Sequence, residues 1–350
     1  MFASRSVASS SLRFRPLGMF GTRSTCSFST NTANNNSVFS RNKNWTVTAS
    51  MLVTTTVGAY FYFNGLNKGH HRAYADSAAD EKPNAFSPQE FRAFKLKEVH
   101  PYNHNTSIFR FRLPTDEHVS GLHVASCVFT RFPYKKKDGS TGYIIRPYTP
   151  ISHEESQGYV EFMIKNYPDG KMSKHIHNLK PGDELEIKGP IPKYNWDQGK
   201  VENVGMICGG TGITPMLQLI RKIFDTDSKF DKTKDEKVKV TLIFTNQTED
   251  DILLRKELDG YAKQFPYRFK VIYGVDRPSP GWKGHTGFVT KELIQKHLPG
   301  PDAPSSVIFV CGPDPQLAAI AGPKAEDKSQ GQLGGILKEL GYPQDHVYKF

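Results

Sequence analysis

Two different spacings of apolar residues divide the chain near residue 200. Before that point apolar and polar side chains alternate, as in residues 109–113, 160–165 and 185–188. This alternation predicts strands with one buried face, and clusters of Pro, Gly and Asp between them mark turns. Many short alternating strands favour an antiparallel barrel or sandwich. We therefore expect residues 86–199 to form an antiparallel β-barrel domain.

After residue 200 the apolar residues form short continuous runs, each followed by a helical pattern. Such runs occupy residues 204–208, 238–244, 269–273 and 307–310. Strands buried on both faces have this pattern, which is typical of a parallel sheet covered by helices. Residues 200–350 are therefore predicted to be an α/β domain of the Rossmann-like, nucleotide-binding kind.

The first 85 residues have a different composition. Residues 1–44 are rich in Arg and Ser and contain no Asp or Glu, as in mitochondrial targeting segments; a disordered N-terminus is the alternative. Residues 45–65 carry no charge and match the length of about 20 residues that one transmembrane helix needs; a buried soluble helix is the alternative. Residues 66–85 are predicted to be a linker.

The positive charge of the chain is concentrated in its first 75 residues. The net charge is +11, but no acidic residue precedes Asp76, and residues 1–75 contain eight cations. The rest of the chain is close to neutral, which argues against a nucleic-acid-binding surface. The four cysteines are far apart and form no metal-binding spacing with His, so no metal site is predicted.

A glycine-rich segment follows the first predicted strand of the α/β domain. Residues 208–216 read CGGTGITPM. Thr214 is predicted to cap the next helix with Pro215 at its first position, so that free backbone N–H groups face a dinucleotide pyrophosphate. The segment matches neither the Rossmann fingerprint nor a phosphate-binding loop of the Walker type, and a plain tight turn is the alternative.

Two motifs in the barrel domain also suit a nucleotide. In the sequence RPYTP at residues 146–150, Arg146 can pair with a phosphate, Tyr148 can stack on a flat ring, and Thr149 can bond a ring nitrogen. In GKMS at residues 170–173, a Gly turn and Ser173 are predicted to open a short helix over an anion.

These motifs occur in the order found in NADH-cytochrome b5 reductases, a family of ferredoxin-reductase-like flavoproteins, and the resemblance covers residues 86–350. The leader, the anchor and residues 188–194 resemble the fungal mitochondrial form. The motifs that carry the resemblance are residues 146–150, 170–173, 209–215, 246–249, 311–313 and 347–350.

The resemblance implies an FAD-binding barrel followed by an NADH-binding domain. It implies hydride transfer from NADH to the flavin and passage of single electrons to a cytochrome b5-type haem protein. The implied protein is a monomer with one N-terminal helix in the mitochondrial outer membrane, or a cleaved intermembrane-space form. A flavin reductase with another acceptor and a non-catalytic, membrane-tethered nucleotide-binding protein are the alternatives.

Site residues follow from the same resemblance. Thr149 and Cys311 are the implied catalytic residues, with Cys311 packing on the nicotinamide rather than acting as a nucleophile. Asp276 would repel a 2′-phosphate and so favour NADH over NADPH. The implied FAD contacts are Arg146, Pro147, Tyr148, Thr149, Met163, Lys165, Tyr167, Gly170, Lys171, Met172 and Ser173. The implied contacts of the flavin and NADH pocket are Gly210, Thr211, Thr214, Thr245, Asn246, Asp276, Cys311, Gly312, Pro313 and Phe350.

Two residues depart from the family pattern beside this pocket. Asp314 and Gln316 stand where many relatives continue Cys-Gly-Pro with Pro and Met. We therefore expect the loop at Cys311 to differ in shape. Lys165 is also a candidate NADH contact, and Lys171 is a candidate contact for an acidic electron acceptor.

Overall fold

The computed structural model describes residues 82–197, 199–225 and 236–350, all within the unit Ala75–Phe350. The predicted targeting segment and transmembrane helix lie outside the described residues, as does most of the linker. Within the described part, no helix is both long and apolar enough to cross a membrane.

The first half of the described chain forms an antiparallel sheet and one helix. In chain order these elements are β1 (Arg92–Pro101), β2 (Thr106–Arg112), β3 (Ser126–Lys135), β4 (Thr141–Tyr148), β5 (Tyr159–Lys165), α1 (Lys171–Asn178) and β6 (Glu184–Pro192). The order across the sheet is β4-β3-β6-β1-β2-β5, so β4 and β5 are its edges. The rings of Tyr148 and Phe162 lie 6.5 Å apart, so the two edges approach each other. The sheet is therefore barrel-like, as predicted.

The predicted alternation holds along β2 and needs one correction in β5. Phe109 and Phe111 are 0% exposed, whereas Arg110 between them forms an ion pair with Glu161 at 2.7 Å. The alternation in residues 160–165 would place Met163 on the outer face of β5 with Glu161 and Lys165, but Met163 is buried. It belongs to the apolar core of the second domain, because the outer face of β5 packs there instead of facing water.

The second half is a parallel sheet with helices, again as predicted. Its strands are β7 (Asn203–Gly209), β8 (Lys239–Asn246), β9 (Phe269–Val275), β10 (His285–Thr286), β11 (Ser306–Cys311) and β12 (Val347–Lys349). Its helices are α2 (Ile213–Phe224), α3 (Arg255–Gln264), α4 (Lys291–His297), α5 (Asp314–Ala321) and α6 (Gly335–Glu339). The strand order is β10-β9-β8-β7-β11-β12.

The four predicted apolar runs form the centre of this sheet. They correspond to β7, β8, β9 and β11, and two separate apolar clusters cover the faces of the sheet. The edge strands β10 and β12 contain two and three residues, which is too short for a periodic signal. All six strands run parallel, so their carboxyl ends share one edge, where ligands of such folds bind.

Candidate active site between the two domains

The last residues of β4 include the exposed Arg146 and the half-buried Tyr148. Among the described residues, the Arg146 guanidinium donates only to the carbonyl of Ile145, at 2.7 Å, so most of its donors face solvent. Burial and the neighbouring Tyr167 raise the pKa of Tyr148 to about 12, although Arg146 acts to lower it. The phenol therefore keeps its proton and can donate a hydrogen bond at neutral pH.

The helix α1 begins at the predicted place but with a different cap. Ser173 lies inside the first turn, where its hydroxyl donates to the Gly170 carbonyl at 3.1 Å and accepts from the Tyr167 N–H at 3.2 Å. Gly170 is the N-cap, and no side chain caps the helix. The first N–H groups of α1 are thus left for an anion. Met172 is buried, so only its backbone is available there.

Thr214 does not cap α2, which corrects the prediction from the glycine-rich segment. A 3-10 turn at Gly210–Gly212 precedes the helix and moves the cap position back to Gly212. Thr214 is therefore the second helical residue, and its hydroxyl donates to the Thr211 carbonyl at 3.1 Å. A side chain at Gly212 would collide with the carbonyl of Cys311, so the two loops pack backbone against backbone.

The two loops that were predicted to bind phosphate meet across the domain junction. The hydroxyl of Tyr167, just before α1, lies 3.4 Å from that of Thr211, in the loop before α2. The backbone after Thr149 is held by α2 as well, because Gln218 donates to the Pro150 carbonyl at 3.2 Å and Arg221 donates to the carbonyl of Ile151. The structure thus brings the residues predicted for FAD next to those predicted for the nicotinamide.

Cys311 closes this junction at the end of β11. Its residue surface is partly exposed, but its thiol is desolvated, which raises the pKa to about 12 although the charge of Lys324 opposes the shift. The thiol is therefore protonated at neutral pH and is a poor nucleophile. Phe350 lies beside it, because its N–H donates to the Val310 carbonyl at 2.9 Å and its ring centroid is 5.6 Å from that of Phe309.

The ends of β8 and β9 carry the predicted adenosine contacts. Asn246 is only 7% exposed, and both polar atoms of its side chain are buried without a partner among the described residues. A buried amide left unpaired is costly, so this residue indicates a polar ligand. The exposed Asp276 is adjacent, since its N–H donates to the Asn246 carbonyl at 3.0 Å.

Lys165 has a partner that the sequence did not indicate. Its ammonium forms an ion pair with the Asp251 carboxylate at 2.8 Å, and the two side chains are 15% and 3% exposed. Burial acts to raise the pKa of Asp251, but hydrogen bonds from Lys165, Thr248 and Asn105 outweigh it and lower the pKa to about 2. The exposed His104 is 3.7 Å away. This ion pair links the end of β5 to the loop after β8.

The sequence contained a partial signal for Asp251. Residues 248–251 read Thr-Glu-Asp-Asp, which is the spacing of a capping box, and Thr248 and Asp251 do form one. The sequence does not indicate that Lys165 is the ion-pair partner of Asp251, because the two residues are 86 positions apart. The sequence also contained no sign of the contacts of Gln218 and Arg221. Both residues lie inside an ordinary amphipathic helix, and their partners are 68 and 70 positions away.

Comparison with known protein families agrees with the two domains. The family model described as an oxidoreductase FAD-binding domain matches residues 93–196, and the model described as an oxidoreductase NAD-binding domain matches residues 206–321. The fold and the site therefore define a flavin- and NAD-dependent oxidoreductase.

Relatives that align with most of the chain show which family of these oxidoreductases it belongs to. The chain is 46% identical over 295 residues to NADH-cytochrome b5 reductase 2 of Coccidioides immitis, covering 84% of this chain and 87% of the relative. It is 45% identical over 296 residues to the protein of the same name in Emericella nidulans, with the same two coverages, 84% and 87%. The chain belongs to the NADH-cytochrome b5 reductase family.

A solved structure supports the same assignment. The cytochrome b5 reductase domain of Ulva prolifera nitrate reductase is 30% identical, with a TM-score of 0.64. The alignment covers 76% of this chain and 99% of that domain.

Replacing Asp251 with Asn should destabilise the protein by about 3 kcal/mol, because it leaves the buried Lys165 ammonium without a counter-ion. The wild-type carboxylate has a lowered pKa, so its contribution is complete above about pH 4 and is lost as pH falls towards about 2. Urea unfolding at pH 7 and at low pH measures both effects.

The neighbouring Asp250→Asn provides the control, since Asp250 is exposed and its side chain forms no ion pair with the described residues. Equal stabilities of the two variants at pH 7 would contradict the role of the ion pair.

Proposed function

We propose that this protein takes electrons from NADH, passes them through bound FAD, and delivers them singly to a cytochrome b5-type haem protein. The observation that carries the proposal is the meeting of the two phosphate-binding loops at Tyr167 and Thr211, 3.4 Å apart. The names of the fungal relatives support the choice of cytochrome b5 as the acceptor.

The barrel domain offers groups that fit FAD. Arg146 and the free N–H groups of α1 would hold the pyrophosphate, Tyr148 would pack against the ribityl chain and ring, and Thr149 would bond the flavin. FAD, when bound, accepts a hydride from NADH and releases electrons one at a time. Met163 and Met172 have buried side chains, so their part is confined to backbone contacts and packing.

The α/β domain would hold NADH along the carboxyl ends of its strands. Asn246 and Thr245 would bind the adenosine side, where the Asp276 carboxylate disfavours a 2′-phosphate. Gly210, Thr211 and Thr214 would face the pyrophosphate and nicotinamide from the start of α2. The nicotinamide would be surrounded by Cys311, Gly312, Pro313 and Phe350. Their packing would orient its ring for hydride transfer and exclude water.

The acceptor would dock on the exposed side of the barrel domain. Lys171 is the first residue of α1 and is exposed, so its ammonium can meet a carboxylate of an acidic partner. Transfer of electrons to a separate protein requires only a transient contact, and a few cations near the flavin are enough to steer it.

Location at the mitochondrial outer membrane forms a further part of the proposal, with residues 1–44 as the address and residues 45–65 as a single anchor of a monomeric enzyme. Composition alone supports it. A chain lacking residues 1–65 should lose its association with mitochondria on cell fractionation. Unchanged association of the shortened chain would contradict the proposal.

Arg146→Leu should strip FAD from the purified protein, lowering the flavin-to-protein ratio by roughly tenfold, because the charged pair with the phosphate is lost. The ratio of the flavin absorbance at about 450 nm to the protein absorbance at about 280 nm measures this occupancy. Arg112→Leu is the control, since Arg112 is exposed and lies on β2, a strand that does not pair with β4. Full flavin occupancy in Arg146→Leu would contradict the assignment.

Turnover with cytochrome b5 should fall several-fold as salt rises, because docking depends on exposed charge. Lys171→Gln should raise the KM for cytochrome b5 and reduce this salt dependence. Lys239→Gln should change neither, since Lys239 is exposed at the amino end of β8, away from the site. A rate that is independent of ionic strength would contradict the docking model, whereas absence of any cytochrome b5 reduction would contradict the function.

A further inference from the structure

Gln316 occupies a position that the proposed contacts leave unassigned. It lies in the first turn of α5, directly after the Cys311 loop, and departs from the family pattern at this point. Its side chain extends across the carboxyl ends of β11, β7 and β8. A side-chain carbon at Gly209 would collide with its Oε1, and one at Gly312 would lie 2.8 Å from it. At the far side, its Nε2 donates to the Thr245 hydroxyl at 2.9 Å.

The hydrogen bonds of Thr245 fix which way the amide of Gln316 points. A threonine hydroxyl has one proton, and Thr245 donates it to the Cys208 carbonyl at 3.3 Å. The same hydroxyl can then only accept from Gln316, so the amide nitrogen must face Thr245. The amide oxygen is left above the two glycines, where none of the described residues donates to it.

An oriented oxygen of this kind selects a hydrogen-bond donor. The pyrophosphate of a dinucleotide offers only acceptors, whereas its ribose groups offer hydroxyl donors. Gln316 Oε1 lies between the ends of β7 and β11, beside the glycine of the Cys311 loop. This is the nicotinamide side of the predicted NADH path, and Thr245 is the adenosine side.

We propose that Gln316 is an NADH-binding residue whose Oε1 accepts a hydrogen bond from a hydroxyl of the nicotinamide-side ribose. Thr245 holds the amide in the accepting orientation through Nε2. The proposal rests on the proposed function, because it assumes that NADH crosses the strand ends in the direction given above. It adds to that function a residue that positions the nicotinamide half of the substrate.

Gln316→Met tests this proposal, because methionine keeps the length and helix preference of glutamine but cannot accept the ribose proton. The KM for NADH should rise roughly fivefold, and kcat should change much less, since one ground-state hydrogen bond is lost. The dissociation constant of NAD⁺, measured by calorimetry on the FAD-bound protein, should rise by the same factor. Gln316→Leu is a second apolar variant in case the first folds poorly.

Two analogues locate the contact. Reduced nicotinamide mononucleotide retains the nicotinamide-side ribose, and the reduced 3-acetylpyridine analogue of NADH lacks the carboxamide donor. The penalty of Gln316→Met should persist with both. A penalty confined to NADH and the acetylpyridine analogue would place the contact on the adenosine side and overturn the proposal. A penalty that vanishes with the acetylpyridine analogue would assign it to the carboxamide and also overturn it.

Gln344→Met is the matched control. Gln344 accepts a single backbone hydrogen bond from Leu333 at 3.3 Å and lies in the turn before β12. Its removal should leave the KM for NADH unchanged. Equal KM values for Gln316→Met and the wild type would overturn the proposal. Failure of NADH to reduce the wild-type flavin would instead overturn the proposed function, so the two failures are distinguishable.

Discussion

The buried ion pair between Lys165 and Asp251 is the contact on which the geometry of the site depends. It joins the last residue of β5 to the turn after β8, with a separation of 2.8 Å between the charged atoms. Tyr167 follows Lys165 in the flavin half, and Asn246 precedes Asp251 in the nucleotide half. Because an unpaired charge is costly at this depth, the two halves are fixed relative to each other where their cofactors must meet.

The junction has a second attachment at α2. The start of this helix faces the predicted pyrophosphate, while Gln218 and Arg221 further along it hold the backbone after Thr149. One rigid helix therefore contacts both halves of the site. Gly212 allows the loop before α2 to contact the Cys311 loop closely, since there is no room for a side chain between the two loops. Hydride transfer needs this kind of rigidity, because small displacements of the reacting atoms cost much of the rate.

The sequence predicted most of the fold, and it named several of the residues that the structure brings together at the domain junction, because both depend on local patterns. The alternation in β2, the apolar runs of β7, β8, β9 and β11, and the motifs around Arg146 and Gly210 are all visible within a few residues. The predicted cap at Thr214 was wrong, because a 3-10 turn begins the helix earlier. The burial of Met163 and the partner of Lys165 could not be predicted, because they arise where the two domains touch.

An anaerobic titration of the purified protein with NADH, followed by visible absorbance, tests the central claim that this chain places NADH against bound FAD. The account predicts a flavin spectrum that bleaches with about one equivalent of NADH per flavin, and much less readily with NADPH because of Asp276. A protein without flavin, or a bound flavin that NADH leaves oxidised, would contradict it.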